Sequence, residues 1–105
     1  ESKMNLRQAL AGAIKSVRKI RHLTQEDFET VSSRTYLSSL ERGLKSPTLD
    51  KLNELSQVMG VRPASLVLLA YVILNGNEEA VIDEVVKETK LLISATQFGK
   101  RSISD

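Results

Sequence analysis

The stretch "LTQEDFETVSSRTYLSSLERG", residues 23–43, carries two helix-start signals in close succession. Thr24, followed three residues later by Asp27, has the pattern of a capping box, in which side chains at the helix start bond to free backbone N–H groups. Ser32 or Ser33 is placed to cap a second helix. The stretch therefore predicts two short helices joined by a tight turn.

The second of these helices has two different faces when its residues are placed at about 100° intervals. Its inner face holds Leu37, Leu40 and Glu41, together with Tyr36, which we interpret as a core residue with its hydroxyl at the rim. The helix is expected to end at Gly43, because glycine adopts the left-handed conformation without strain. Its outer face is short, polar and basic, which favours a binding surface over a core or a merely solvated face. This outer face comprises Arg34, Thr35, Ser38, Ser39 and Arg42.

Helical periodicity continues on the N-terminal side of this stretch. Apolar residues recur at helical spacing over residues 5–21, and Asn5 with Gln8 forms another capping box. His22 falls where this helix should stop. Because histidine tolerates positive φ, we expect it to cap the helix and to have no catalytic role.

Three further helices are predicted on the C-terminal side. The first begins after Thr48, carries an apolar stripe that starts at Leu49, and stops at Gly60. The next begins at Pro63 and is apolar almost all round, which predicts burial on two sides, since it is too short to span a bilayer. The last covers residues 78–98, and the tail after it is polar.

The composition fits one all-α domain. The chain has 105 residues, of which 41% are hydrophobic and 27% charged, values typical of a folded globular protein. It has no cysteine, which excludes disulfides and suits a reducing cytoplasm. We found no signal peptide pattern before the first helix and expect no membrane partner. Lys and Arg are concentrated in residues 1–62, which hold eleven of them against seven Asp and Glu.

Catalysis is not expected. The sequence holds no glycine-rich phosphate loop, no grouping of ligands with metal spacing, and no nucleophile paired with a base. We therefore predict no cofactor, no metal site and no enzymatic activity.

The two C-terminal helices carry more apolar surface than one chain of this length can cover. We expect residues 63–105 to pack on the core and to form a homodimer interface. The alternative, in which both helices simply fold back on the N-terminal core, stays open. The residues assigned to the interface are Leu69, Val72, Ile73, Val85 and Leu92.

The run "LTQEDFETVSSRTYLSSLERGLKSPTLDKLNELSQVMGV", residues 23–61, resembles the lambda-repressor-like helix-turn-helix domain of the Xre family. With the first helix, the resemblance covers about residues 6–69. It implies a five-helix DNA-binding domain over residues 1–69, followed by the C-terminal helix for dimerisation. The chain departs from the family pattern between Phe28 and Tyr36, where it is about two residues shorter and lacks the glycine of the turn.

The resemblance also assigns roles to residues at matching positions. Arg34 is expected to dominate base recognition, because arginine can bond to both O6 and N7 of guanine. Arg18 and Glu41 are expected to form a structural ion pair. The residues implied to contact base edges are Arg34, Thr35, Ser38 and Ser39, and those implied to contact DNA phosphates are Gln25, Ser33, Arg42 and Lys45.

These observations predict a transcriptional repressor that is cytoplasmic and associated with the nucleoid. It is expected to bind double-stranded DNA as a homodimer on a pseudo-palindromic operator. Two alternatives remain open. One keeps DNA binding but makes the protein an antitoxin or a restriction–modification controller that regulates its own gene; the antitoxin would bind its protein partner, a toxin, through the two C-terminal helices. The other is a protein-interaction module that does not bind DNA.

Overall fold

The computed structural model describes residues 3–96, and within that range the chain is entirely helical, with no strand. The all-α prediction is therefore confirmed. One short 3-10 helix, Gln25–Phe28, lies between α1 and α2. The five α-helices are α1 (Leu6–Ile20), α2 (Arg34–Glu41), α3 (Leu49–Met59), α4 (Pro63–Asn75) and α5 (Glu78–Thr96).

The predicted capping residues set the helix ends. The side chains of Asn5 and Gln8 each accept a hydrogen bond from the other's backbone N–H at 2.9 Å, which completes the capping box of α1. Ser33 caps α2, where its hydroxyl oxygen accepts from the backbone N–H of Tyr36 at 3.0 Å. Thr48 caps α3 in the same way.

Left-handed residues end the helices where the sequence predicts it. His22 has a φ of 60° and follows α1, so its capping role is confirmed. Gly43 and Gly60 have φ values of 75° and 74° after α2 and α3. Pro63 occupies the first turn of α4, where its missing N–H costs nothing.

The turn between the 3-10 helix and α2 explains the family departure noted above. The first of the two predicted short helices is a single 3-10 turn, closed by Asp27, whose carboxylate accepts a hydrogen bond from the Thr24 N–H at 2.7 Å. After it, the N–H groups of Val31 and Ser32 both bond to the Phe28 carbonyl at 2.9 Å. No residue between Phe28 and α2 has a positive φ, so this turn needs no glycine.

The core lies between α1, the 3-10 helix, α2, α3 and α4. It is built from large side chains that are almost fully buried. Burial of this apolar surface provides the main stabilisation of the domain. The members are Ile14, Phe28, Leu37, Leu40, Leu52, Leu55, Met59 and Leu66.

A second, smaller cluster joins α1 to α4. Ala9, Ala13 and Ala70 are completely buried there, with Leu69 packed against them. Because these side chains are small, the two helices can approach closely, and α4 is thereby fixed to the N-terminal domain.

One packing expectation from the sequence was wrong. Leu49 was placed in the buried stripe of α3, yet it is 81% exposed, because it is the first residue of the helix and points away from the core. Burial of α4 on two sides was predicted together with a second copy of the chain, so a single chain does not test it. Only Leu66 and Ala70 of α4 are buried, since α1 and α3 cover one side and α5 covers the other incompletely.

The last helix, α5, packs on α4 and leaves most of its surface open. Val81 is its one buried residue within the described range, and Leu92 is 60% exposed. The radius of gyration is 15.7 Å, against about 13 Å for a compact domain of about 100 residues. The part of the predicted C-terminal segment after residue 96 lies outside the described residues.

No single helix within residues 3–96 has the length and hydropathy needed to cross a membrane. Only α3 and α4 taken as a pair reach them, and the two helices are bent by 96° where they meet.

Candidate nucleic-acid interface

The outer face of α2 is the candidate reading surface. Arg34 stands in the first turn with its side chain 65% exposed, and Thr35 beside it is also exposed. Ser38 and Ser39, in the next turn, are partly buried. All four side chains predicted to contact base edges thus lie on one helix, which places donors and acceptors within reach of one groove.

The inner face of α2 holds this surface in place. Leu37 and Leu40 are buried in the core, and Tyr36 packs against the same cluster while remaining partly exposed. The Lys45 ammonium lies 5.5 Å from the centre of the Tyr36 ring, within range of a cation–π interaction. The orientation of α2 is therefore determined by its own apolar residues.

A buried ion pair ties α2 to α1. Nε and Nη2 of Arg18 donate to the two carboxylate oxygens of Glu41 at 2.6 and 2.9 Å, and Nη1 donates to the Leu23 carbonyl at 2.9 Å. The hydrogen bonds from Arg18 to Glu41 raise the pKa of Arg18 above its ordinary value, although burial alone would lower it. Arg18 therefore stays charged at neutral pH, and its hydrogen bonds connect three segments of the domain.

Gln25 belongs to the same network. Its side-chain amide donates to Glu41 at 3.2 Å and is partly buried. The residue lies at the start of the 3-10 helix, and its amide points toward the ion pair at the C-terminal end of α2. A phosphate contact from Gln25 would use its backbone N–H or a second amide hydrogen.

The other residues predicted to contact phosphates lie at the two ends of α2. Ser33 is the N-terminal cap, with its O–H still able to donate. Arg42 and Lys45 are exposed and follow the C-terminal end of the helix. Donors thus flank the reading surface on both sides.

Two basic residues that the sequence analysis did not assign hold this region together. Nε of Arg7 donates to the Gly43 carbonyl at 2.7 Å and so fixes the C-terminal end of α2 to α1. The Lys51 ammonium donates to the Val31 carbonyl in the turn before α2 and pairs with Glu54 at 2.9 Å. Both contacts join residues distant in sequence, so no local pattern signals them.

The residues assigned to a dimer interface differ in their exposure within one chain. Leu69 is partly buried against the alanine cluster of α1 and α4. Val72 and Val85 are partly buried, whereas Ile73 and Leu92 are exposed. Exposed apolar side chains are most frequent in the second half of α5, where Leu91, Leu92 and Ile93 are adjacent.

Among the described residues, no three His, Asp or Glu side chains are grouped so that they could hold a metal ion.

Comparison with protein families places the chain next to transcriptional regulators. The helix-turn-helix family model matches residues 14–66. The HTH-type transcriptional regulator y4dJ of Sinorhizobium fredii, itself uncharacterized, is 42% identical over 66 residues, which cover 61% of this chain and 86% of that protein. The control protein C.BamHI of Bacillus amyloliquefaciens is 32% identical over 65 residues, covering 59% of this chain and 80% of that protein.

Solved structures of the clp gene regulator ClgR from Corynebacterium glutamicum are similar in fold. One has a TM-score of 0.61 and 30% identity, covering 66% of this chain and 92% of that one. A second has a TM-score of 0.65 at 24% identity and covers 90% of this chain and 97% of that one. A match of that extent includes most of α5, so the C-terminal helix is part of the shared fold.

Proposed function

This chain belongs to the Xre-type helix-turn-helix family of DNA-binding transcriptional regulators, and from that premise we propose that it is a sequence-specific repressor acting as a homodimer on a pseudo-palindromic operator. The observation that carries the proposal is the outer face of α2. It combines an exposed arginine with three hydroxyl side chains, on a helix whose inner face is held by the core. Side chains presented on a rigid helix suit recognition of base edges.

Arg34 contributes most to base recognition in this proposal. Its guanidinium can donate to O6 and N7 of one guanine, which is worth about 1–3 kcal/mol of discrimination against another base. Thr35, Ser38 and Ser39 carry hydroxyls, which discriminate weakly because they both donate and accept.

Phosphate contacts position the domain on the duplex. Ser33 caps the N-terminal end of α2, Arg42 and Lys45 follow its C-terminal end, and Gln25 begins the 3-10 helix with its side-chain amide bonded to Glu41. With about three to five phosphates neutralised per subunit, affinity should fall with salt at a slope of roughly −0.9 per phosphate.

The two parts of the chain have different roles in this proposal, one in DNA binding and the other in dimerisation. Residues 1–69 form the DNA-binding domain, and residues 63–105 pack on it and form the dimer interface. The exposed apolar residues of α5 support this division, because a second copy would cover them. A dimer of this kind would place its two copies of α2 in successive major grooves, about 34–36 Å apart.

One alternative function has a specific observation behind it. The likeness to a control protein at 32% identity favours a restriction–modification controller, which would also bind DNA as a regulator. The relatives are regulators and not enzymes, which supports the absence of catalysis in either case.

Selection of bound duplexes from a random library, with the intact protein and with Arg34→Ala in parallel, tests the proposal. Recovery of a two-fold-related motif, with the variant folded but indifferent to one base pair in each half-site, would support it. If neither protein recovers a motif, the outer face of α2 does not read DNA. A stable complex with another protein in a pull-down would then favour the interaction module that does not bind DNA, because the antitoxin and the controller both keep DNA binding.

A further inference from the structure

Arg34, the residue proposed to read guanine, has a partner in the preceding helix. Its Nη2 lies 3.6 Å from a carboxylate oxygen of Glu26, and both side chains are about two-thirds exposed. At this distance the two groups attract each other without a hydrogen bond, so the N–H groups of Arg34 remain free to donate to a base.

Glu26 is not needed elsewhere in the structure. The 3-10 helix is closed by Asp27, which accepts from the Thr24 N–H, and Gln25 bonds to Glu41. Among the residues that the structure describes, Arg34 is the one partner found for the Glu26 carboxylate. An exposed pair of this kind adds about 0–1 kcal/mol to stability, so its main effect lies outside folding.

The position of Arg34 makes such a partner useful. The side chain stands in the first turn of α2, where the helix dipole disfavours a cation. A long, exposed arginine also has many rotamers, and each must be given up when it binds one base. A carboxylate beside Arg34 offsets the unfavourable interaction with the helix dipole. It also restricts the rotamers of the free side chain, so that fewer are given up on binding.

The Glu26 charge also acts on DNA directly. It lies beside the reading surface, where it repels phosphates in every complex. An Arg34 that donates to guanine brings its positive charge to the DNA beside the carboxylate and so compensates that repulsion. On a duplex without that guanine, the compensation is weaker.

We propose that Glu26 is a positioning residue for Arg34 and increases the selectivity of this protein for guanine at the base pair that Arg34 contacts. Glu26 raises selectivity mainly by weakening binding to the wrong sequences. This inference rests on the proposed function, because it needs Arg34 to read a base.

A double-mutant cycle on the full chain tests the role of Glu26. Dissociation constants are measured for the intact protein, Glu26→Gln, Arg34→Ala and the double variant. Each protein is titrated with the selected duplex and with a duplex in which the guanine of each half-site is replaced. The readout is the ratio of the two dissociation constants, which a purely structural role would not change.

The expected result is a loss of about fivefold in this ratio for Glu26→Gln, mostly through tighter binding to the altered duplex. In the Arg34→Ala background, the same substitution should leave the ratio unchanged. Glu29→Gln is the matched control, because Glu29 is an exposed residue at the end of the same short helix and makes no ion pair with Arg34. It should leave the ratio of the intact protein unchanged.

Three results would overturn the inference. They are an unchanged ratio in Glu26→Gln, an equal change in the Arg34→Ala background, and an equal change with Glu29→Gln. The intact protein separates the proposed function from the role of Glu26. If any of these three results is found while the intact protein still prefers the selected duplex, only the role of Glu26 fails. If it shows no preference between the duplexes, the proposed function fails and the inference fails with it.

Discussion

Helix α3 in the N-terminal domain and the final helix α5 both carry an apolar face at helical spacing, but they differ in what covers that face. Leu55 of α3 is fully buried, whereas Leu92 of α5 is 60% exposed. Periodicity predicts that a helix has a face to bury, but it does not say which surface will bury it. In α1–α4 the covering surface is in the same chain, and for α5 we propose that it is in a second copy.

The difference arises from the number of neighbours that each helix has. α1 contacts α2 and α4, and the alanine cluster allows a close approach between α1 and α4. The main contact of α5 is with α4, against which Val81 is buried. Substitutions in the domain should therefore act on folding, and matched substitutions in α5 should act on association.

The largest expected effect comes from breaking the buried ion pair. Glu41→Ala leaves the Arg18 guanidinium charged and without its partner inside the domain, which should lower the free energy of unfolding by about 3–5 kcal/mol. Urea unfolding of the variant and of the intact protein measures this loss of free energy. Glu88→Ala in α5 is the matched control, because Glu88 is exposed and should give no measurable change. Similar losses for the two variants would contradict the comparison.

Truncation of a leucine compares the two regions with the same chemical change. Leu55→Ala removes a fully buried side chain and should lower the free energy of unfolding by about 2–5 kcal/mol at any protein concentration. Leu92→Ala should lower it by less than about 0.5 kcal/mol in dilute solution, where the protein is monomeric. A large loss for Leu92→Ala under dilution would show that α5 is buried within its own chain.

A charge in α5 addresses the proposed dimer. Leu92→Asp would place a carboxylate in the interface and should raise the dimer dissociation constant at least about tenfold, or about 1.4 kcal/mol. Sedimentation equilibrium over a range of concentrations measures this constant, and circular dichroism checks that the helices remain. A dimer of undiminished affinity would exclude Leu92 from the interface.

The smallest of these effects concerns the turn before α2. Lys51→Gln removes the ammonium that donates to the Val31 carbonyl and should cost about 1 kcal/mol of unfolding free energy, because Lys51 is partly buried. Lys87→Gln in α5 removes an exposed ammonium and should cost nothing measurable. If both variants are as stable as the intact protein, Lys51 does not hold the turn.

Local signals predicted most of the helix ends, although they left Ser32 and Ser33 as alternatives for the cap of α2. Asn5, Ser33 and Thr48 cap the helices because each bonds to a backbone N–H three residues away, a relation that sequence spacing contains. The 3-10 geometry of Gln25–Phe28 was not predicted, since a capping box fixes where a helix begins and not how tightly its single turn is wound.

Contacts between distant residues were harder to predict. Arg7 and Lys51 bond to carbonyl groups 36 and 20 residues away, and carbonyls are present at every position, so no side-chain pattern points to them. The Arg18–Glu41 contact was reached only through the family resemblance. The exposure of Leu49 was missed because helical spacing alone does not show where the first residue of a helix points.

The central claim is that one chain covers the apolar faces of the N-terminal domain, whereas the apolar face of α5 is covered only when a second copy binds. Amide hydrogen exchange at two protein concentrations tests this claim most directly. Protection in α1–α4 should be independent of concentration. Amides in the second half of α5 should exchange rapidly in dilute solution and become protected as the concentration rises. If α5 is protected equally at both concentrations, its own chain covers it. If it stays unprotected at the high concentration, no second copy covers it, and the proposed dimer interface is contradicted.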